Sequence, residues 1–216
     1  MKKEIVLVGG GGHCKSVIDV IEEEGSFAIA GIVDVKEKLG QQVLNYEISW
    51  TDDQFAELTK RYENFLVTVG QLQNPEARIL LYNKIKKHGG RLPVIVSPNA
   101  HVSRHVTIEE GTVVMHFATI NAEARVGRNT ILNTGCLLEH DVKVGDHCHI
   151  STKAVINGGT SISDRVFVGS SAVLAHMISV GNDCIISSGS VVRKNIPNKS
   201  LVFGNPAISK SITGEK

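Results

Sequence analysis

The chain has 216 residues, of which 42% are hydrophobic and 21% are charged, as expected for a soluble globular protein with one or two domains. Its net charge of +1 gives no electrostatic case for nucleic acid or an anionic membrane, and no apolar run approaches the length of a membrane span. The four cysteines lack the paired spacing of metal ligands, so we expect a protein of the reducing cytoplasm.

The N-terminal segment "EIVLVGGGGHCKS" predicts a buried strand, a glycine-rich turn and the start of a helix. It nearly fits a P-loop and a dinucleotide fingerprint, but Cys14 stands where each motif has its last glycine. The turn can still expose backbone N–H groups to an anion at the helix N-terminus, and its candidate binding residues are Gly10, Gly11, Gly12 and His13. A tight strand-to-helix turn without a ligand is the alternative interpretation.

Residues 1–97 alternate between strand and helix patterns, which predicts a small Rossmann-like α/β domain with a parallel sheet. Asp34 closes the second strand, where a carboxylate can accept a hydrogen bond from a ribose hydroxyl, although an ordinary turn carboxylate is equally consistent. Gly70 ends the third strand at the same carboxyl edge, so three features converge on one ligand site. The strands are predicted at 4–8, 28–33, 64–69 and 92–96, and the helices at 13–24, 52–61 and 75–88.

From about residue 100 the chain follows a six-residue period. Sixteen positions six residues apart, from Val102 to Val192, are all Val, Ile or Leu, and the residue two positions before each is mostly small. This period predicts a parallel β-helix over 98–216, with 18 residues per coil and residues 18 apart stacked at about 4.8 Å. Three cysteines occupy the small-residue positions, where we expect a structural role: Cys136, Cys148 and Cys184.

The hexapeptide pattern resembles that of the left-handed β-helix acyltransferases. With "GGGGH", "ILNTGCLLEHDVKVGDHCHIS" and "VFGNPA", the whole chain resembles bacterial nucleotide-sugar acetyltransferases. These include the UDP-4-amino-sugar N-acetyltransferases and the sialic acid O-acetyltransferase family. The resemblance implies a left-handed coil, acetyl-CoA as co-substrate and a nucleotide-linked amino sugar as acceptor. It also implies a homotrimer with active sites between neighbouring prisms, and a nucleotide-sugar on the glycine loop.

Acetyl transfer requires a base for the nucleophile and a donor for the oxyanion. His140 lies in "EHD", where a carboxylate can orient the imidazole, and the resemblance puts the catalytic base at this position. Asp141 stands where the family commonly has Glu. Gly158 lies 18 residues after His140, so we expect its N–H to face the thioester oxygen. Two glycines in a tight corner, Gly158 and Gly159, are the alternative interpretation.

The resemblance implies further binding residues in the coil. Asn133 matches a position that contacts the sugar, and His149 matches one that contacts substrate or acetyl-CoA. Ser170, Ser188 and Gly189 match the upper wall of the CoA site, with Gly common near Ser188 in the family.

A zinc site like that of the γ-class carbonic anhydrases is not expected, because the hexad count puts His140 and His149 on different faces and zinc needs convergent ligands. That function would also leave the N-terminal domain unexplained. The sequence therefore predicts an acetyl-CoA-dependent N-acetyltransferase of a nucleotide-linked 4-amino sugar, serving surface polysaccharide or glycan synthesis, without a metal. Sugar O-acetylation, for example of sialic acid, is the alternative. A non-catalytic sugar-nucleotide binding or scaffold protein is the more distant one.

Overall fold

The computed structural model describes residues 2–72 and 74–212 and divides the chain into two units, Met1–Pro98 and Asn99–Lys216. This division falls one residue after the boundary predicted between 97 and 98. Residues 213–216 of the predicted β-helix domain lie outside the described residues.

Unit 1 is built on a five-stranded sheet of order β3-β4-β2-β1-β5, in which β4, β2, β1 and β5 are parallel and β3 is antiparallel to β4. Three helices, α1 to α3, connect the strands. The strands of this sheet are β1 (Lys3–Val8), β2 (Phe27–Val33), β3 (Gln42–Val43), β4 (Tyr46–Trp50) and β5 (Asn64–Val67), and a sixth short strand, β6 (Ile95–Val96), is not part of it. The helices are α1 (Gly12–Glu24), α2 (Phe55–Arg61) and α3 (Glu76–Lys87).

All the predicted elements of unit 1 are present, with different bounds. The strand predicted at 64–69 ends at Val67, and the strand predicted at 92–96 is only Ile95–Val96. The first residues of the helix predicted at 52–61 form a separate 3-10 turn before α2. The β3–β4 hairpin was not predicted, because β3 has two residues and the turn uses Leu44, at φ 54°, instead of a glycine pair.

Helix α1 brings the glycine loop to the carboxyl edge of the sheet. Its apolar positions recur at helical spacing, and Cys14, Val17, Ile18 and Ile21 are all buried. Strand β1, which precedes it, is fully buried from Ile5 to Val8. The helix therefore starts next to the end of β1, with Gly11 as its N-cap.

Unit 2 is a three-sided parallel β-helix of sixteen two-residue strands. Each predicted aliphatic residue is the second residue of its strand, and fourteen of the sixteen, from Val114 onward, are buried. The strands are β7 (His101–Val102), β8 (Thr107–Ile108), β9 (Val113–Val114), β10 (Thr119–Ile120), β11 (Arg125–Val126), β12 (Ile131–Leu132), β13 (Leu137–Leu138), β14 (Lys143–Val144), β15 (His149–Ile150), β16 (Val155–Ile156), β17 (Ser161–Ile162), β18 (Phe167–Val168), β19 (Val173–Leu174), β20 (Ser179–Val180), β21 (Ile185–Ile186) and β22 (Val191–Val192).

Every third strand belongs to the same face. The β7 face contains β7, β10, β13, β16, β19 and β22, and the β8 face contains β8, β11, β14, β17 and β20. The β9 face contains β9, β12, β15, β18 and β21, and continues into β23 (Ser200–Gly204) and β24 (Ala207–Ser211). Paired residues are 18 apart, as in Thr119 with Leu137 and Leu137 with Val155. This register confirms the predicted column map.

One residue in each turn between β8 and β22 adopts a positive φ, three positions after the aliphatic residue of the preceding strand. Fourteen successive turns from Gly111 to Gly189 share this left-handed conformation, and only four of these residues are glycine. The regular turn keeps every coil the same length, so equivalent turn residues stack along an edge. The turns after the β7-face strands form the edge that contains residue 140, hereafter the His140 edge. The turns after the β9-face strands form the Asn133 edge.

Candidate functional site

The glycine loop of unit 1 is held tightly at its start and is open at its end. Gly9 has φ 112°, and a methyl group built on it would lie 2.9 Å from the backbone nitrogen of Val69. A methyl group on Gly11 or Gly12 would meet nothing within 4 Å. The backbone at the start of α1 is therefore accessible, and its first N–H groups are the ones that a helix leaves without intrahelical partners.

Asp34 clamps this loop. Its carboxylate accepts hydrogen bonds from the backbone N–H of Gly10 at 2.7 Å, from the N–H of Val35 at 2.7 Å and from Nζ of Lys38 at 2.9 Å. Burial acts to raise the pKa of Asp34, but these bonds outweigh burial and hold the pKa below its usual value. Three of the roughly four acceptor positions of the carboxylate are thus used by the protein itself.

The other predicted residues of unit 1 meet at the same edge. The Thr68 hydroxyl donates to the carbonyl of Gly9 at 2.7 Å, which ties the end of β5 to the loop. Gly70 approaches His13, whose Cβ lies 3.5 Å from a methyl group built on Gly70. A cavity of about 240 Å³ opens here, lined by Gly9, Asp34 and seven other residues. The contribution of Thr68 was not predicted, because it depends on a contact between separate strand ends, and the ion pair of Lys38 with Asp34 depends on the local turn after β2.

In unit 2, His140 and Asp141 are hydrogen-bonded on the His140 edge. Nδ1 of His140 lies 2.8 Å from Oδ2 of Asp141, so the shorter side chain at 141 does reach the imidazole. An ionised carboxylate can only accept, so Nδ1 is the donor of this bond, and in the neutral imidazole the lone pair is then on Nε2. The two side chains are 65% and 63% exposed, which leaves Nε2 open to a substrate.

Gly158 lies directly against the His140 ring. A methyl group built on Gly158 would be 2.7 Å from both Cε1 and Nε2 of His140, so a side chain here would displace the imidazole. The N–H of Gly159 donates to the carbonyl of His140 at 3.0 Å, which joins the two coils. Among the described residues, no hydrogen bond uses the N–H of Gly158. Gly158 is itself buried, with the imidazole packed against it.

Asn133 and His149 form a second pair, on the Asn133 edge and the adjoining β9 face. Nδ2 of Asn133 lies 3.0 Å from Nε2 of His149, and the ring of Phe167 packs 5.3 Å from that of His149. Oδ1 of Asn133 accepts from the N–H of Thr134 at 2.8 Å, so its NH₂ group faces His149. The amide nitrogen can only donate, and Nε2 of His149 is therefore the unprotonated acceptor.

The three residues expected in the upper CoA wall also lie on the Asn133 edge. The N–H of Gly189 donates to the carbonyl of Ser170 at 2.9 Å, and Ser188 precedes Gly189 in the same turn. The Ser170 hydroxyl lies 3.0 Å from that of Ser151, a partner that the sequence did not indicate. These residues and the Asn133–His149 pair are separated from His140 by the width of the β7 face, so a single prism does not bring the two groups together.

Within residues 2–72 and 74–212, no group of three His, Cys, Asp or Glu side chains is placed to hold a metal ion. None of the helices in that part of the chain is long and apolar enough to cross a membrane. The four cysteines are free and buried. Burial raises the pKa of Cys136 and Cys148 to about 12 and that of Cys14 to about 11. Thiols so far from ionisation are poor nucleophiles.

Comparison with known proteins gives consistent relatives for both units. Residues 4–85 match the family described as PglD N-terminal domain. Over 205 residues the chain is 27% identical to GDP-perosamine N-acetyltransferase of Escherichia coli O157:H7, covering 92% of this chain and 81% of that protein. The structure of PerB from Caulobacter crescentus, in complex with CoA and GDP-perosamine, is 32% identical, with a TM-score of 0.90 and coverage of 96% and 97%.

The chain belongs to the nucleotide-sugar acetyltransferases of the hexapeptide-repeat class. The acetyltransferase domain of PglB from Neisseria gonorrhoeae, in complex with acetyl coenzyme A, is also similar, at 27% identity and a TM-score of 0.89 over 97% of this chain and all of that one. These relatives confirm the predicted fold class, an α/β domain followed by a left-handed β-helix.

This acetyltransferase transfers an acetyl group from acetyl-CoA to the amino group of a nucleotide-linked sugar. N-acetylation, which was predicted, is thereby confirmed over sugar O-acetylation and over a non-catalytic scaffold role. The acetyltransferase uses acetyl-CoA as its co-substrate, as the resemblance implied.

Proposed function

We propose that the acceptor is a GDP-linked amino sugar of the perosamine kind and that its 4-amino group is acetylated. Two relatives whose matches cover more than nine-tenths of this chain carry GDP-perosamine in their names or as a bound ligand. The sequence leaves the base of the nucleotide open, and the names and ligands of these two relatives favour guanine. A cytoplasmic location follows from the use of acetyl-CoA.

We propose His140 as the general base. As the sugar nitrogen attacks the thioester carbonyl carbon, Nε2 of His140 takes the amine proton and the new C–N bond forms. The N–H of Gly158 stabilises the oxyanion of the tetrahedral intermediate. Collapse of this intermediate breaks the C–S bond, and the CoA thiolate recovers the proton from His140. The contact between Gly158 and the His140 ring is the observation that carries this proposal, because it puts base and oxyanion donor side by side.

Asp141 is the positioning residue of this arrangement. Its bond to Nδ1 selects the tautomer with a lone pair on Nε2, and it stabilises the imidazolium that forms during the reaction.

We further propose that the complete site forms between copies of the chain in a homotrimer. The outward side chains of the β7 face form a half-buried apolar column that an equivalent copy can cover: Leu137, Val155, Val173 and Val191. Association along this face would let the Asn133 edge of one prism approach the His140 edge of the next. Asn133 and His149 would then contact the sugar or acetyl-CoA, and Ser170, Ser188 and Gly189 would line the CoA arm.

The nucleotide is proposed to bind unit 1, at the loop from Gly10 to His13. The open backbone at Gly11 and Gly12 suits a diphosphate at the start of α1. The cavity lined by Asp34 and by Val69, which precedes Gly70, suits a ribose or base.

The experiment that tests this function is a thiol-release assay with acetyl-CoA and a panel of GDP-, UDP- and dTDP-linked amino sugars. We expect GDP-perosamine to be the best acceptor and the product to carry one amide-linked acetyl group by mass spectrometry. Turnover with no member of the panel, or an ester-linked product, would contradict the proposal.

A further inference from the structure

Met177 is the most exposed large apolar side chain in the described residues, at 84% exposure. It lies on the His140 edge and occupies the left-handed position of its turn, at φ 56°. Gly, Asn and Asp are the usual residues at such a turn position, and a singly exposed apolar side chain needs no explanation of its own. What distinguishes Met177 is its place on the edge that carries His140.

The side chain of Met177 folds toward Gly159, which lies 18 residues earlier. A methyl group built on Gly159 would be 3.2 Å from Cγ of Met177, and the N–H of Met177 donates to the carbonyl of Gly158 at 3.0 Å. Met177 thus covers the Gly158–Gly159 turn from the following coil.

The same turn is bounded on its other side by His140, from the preceding coil. The His140 ring is 2.7 Å from a methyl group built on Gly158. The surface of the Gly158–Gly159 turn, hereafter the slot, is therefore flanked by the imidazole of His140 on the preceding coil and by the flexible thioether side chain of Met177 on the following coil. Successive coils are about 4.8 Å apart, so the slot is only about two coil spacings long.

We propose that Met177 closes this slot around the acyl group of the donor and so restricts transfer to acetyl. The inference rests on the proposed function, in which the thioester carbonyl lies between the N–H of Gly158 and Nε2 of His140. The transfer itself is unchanged: the C–N bond forms, the C–S bond breaks, and the amine proton passes through His140 to the CoA sulfur. A longer acyl chain would have to displace the Met177 side chain from Gly159. Methionine, unbranched and polarizable, packs well against a small methyl group.

Phe117 offers a matched control. It is also apolar, 68% exposed and in the left-handed turn position, at φ 59°, but it lies on the Asn133 edge. Replacing either residue with glycine suits the backbone conformation and removes a comparable apolar side chain.

The test measures kcat/KM for acetyl-, propionyl- and butyryl-CoA with GDP-perosamine, in the wild-type protein and in Met177→Gly, Met177→Asn and Phe117→Gly. We expect the butyryl-to-acetyl ratio of kcat/KM to rise at least about tenfold in both Met177 variants, because one methylene in an apolar pocket is worth about tenfold or more and butyryl has two more than acetyl. The ratio should not change in Phe117→Gly, and the acceptor KM should remain within about twofold of wild type in all three.

An unchanged ratio in folded Met177→Gly, or an equal rise in Phe117→Gly, would overturn the role of Met177. A uniform rise in KM for all three acyl donors would overturn it as well, because it would mean contact with the pantetheine arm alone. Wild-type protein that turns over no acyl-CoA would instead contradict the proposed function, so the two failures are distinguishable.

Discussion

The proposed chemistry depends on a few contacts around His140, and the bond from Asp141 is the one that orients the ring. We predict that Asp141→Asn lowers kcat by about ten- to a hundredfold, the usual effect of losing a carboxylate that orients a histidine. Asparagine can still accept from Nδ1–H but cannot stabilise the imidazolium as an anion does. Steady-state kinetics measure kcat for Asp141→Asn and for His140→Ala, so that the two losses can be compared. An equal loss in the two variants would mean that the pair acts as one unit and would contradict this division of roles.

Individual contacts of this kind were only partly predictable. The sequence placed His140, Gly158 and Asp141 on one edge, because the 18-residue repeat fixes which residues stack. It did not show that Asp34 clamps the glycine loop through Gly10, because this bond joins the ends of two strands 24 residues apart. The role of Asp34 as a ligand-binding carboxylate therefore stays a prediction, and its role in holding the loop is added to it.

At the scale of the element, the coil was predictable because one inward residue recurs every sixth position without a break. The hairpin β3–β4 in unit 1 was missed because a two-residue strand leaves no periodic pattern. The left-handed direction of the coil came only from family resemblance, since the period itself is the same for either hand.

The three cysteines of the coil test whether its inward small-residue positions have a purely structural role. Cys136, Cys148 and Cys184 are fully buried, and burial raises the pKa of each thiol. We predict negligible alkylation by iodoacetamide at pH 8 in the native protein and full alkylation in denaturant, followed by mass spectrometry. Cys148→Ala should lose about 1 to 2 kcal/mol of unfolding free energy and keep its activity. A stable but inactive Cys148→Ala would show that the thiol takes part in the reaction.

For the whole molecule, we propose that unit 1 binds the nucleotide and that unit 2 binds acetyl-CoA. We predict that Asp34→Ala raises the KM for the nucleotide-sugar about five- to a hundredfold, or about 1 to 3 kcal/mol, through the loss of the bonds to Gly10 and Lys38. The KM for acetyl-CoA should stay nearly unchanged. Asp53→Ala, which removes an exposed carboxylate outside the loop, is the control. If Asp34→Ala raises only the KM for acetyl-CoA, unit 1 does not bind the nucleotide.

The proposal of a site shared between copies also makes a prediction at this scale. Trimers refolded from an equal mixture of His140→Ala and Asn133→Ala chains should regain about one quarter of wild-type activity, because one interface in four pairs an intact His140 with an intact Asn133. Each variant alone should be nearly inactive. If the activity of the mixture does not exceed the summed activities of the two variants, each prism contains its own complete site.

We propose above all that His140 is the base for acetyl transfer. Replacing His140 with alanine tests this role most directly. The measurement is kcat for CoA thiol release by His140→Ala with saturating acetyl-CoA and GDP-perosamine, with oligomeric state and thermal unfolding recorded on the same sample. Because the side chain is 65% exposed, the variant should fold and assemble like the wild type. We predict that kcat falls by about 10² to 10⁴-fold, the range expected for loss of a general base. A folded variant with near-wild-type kcat would contradict the account.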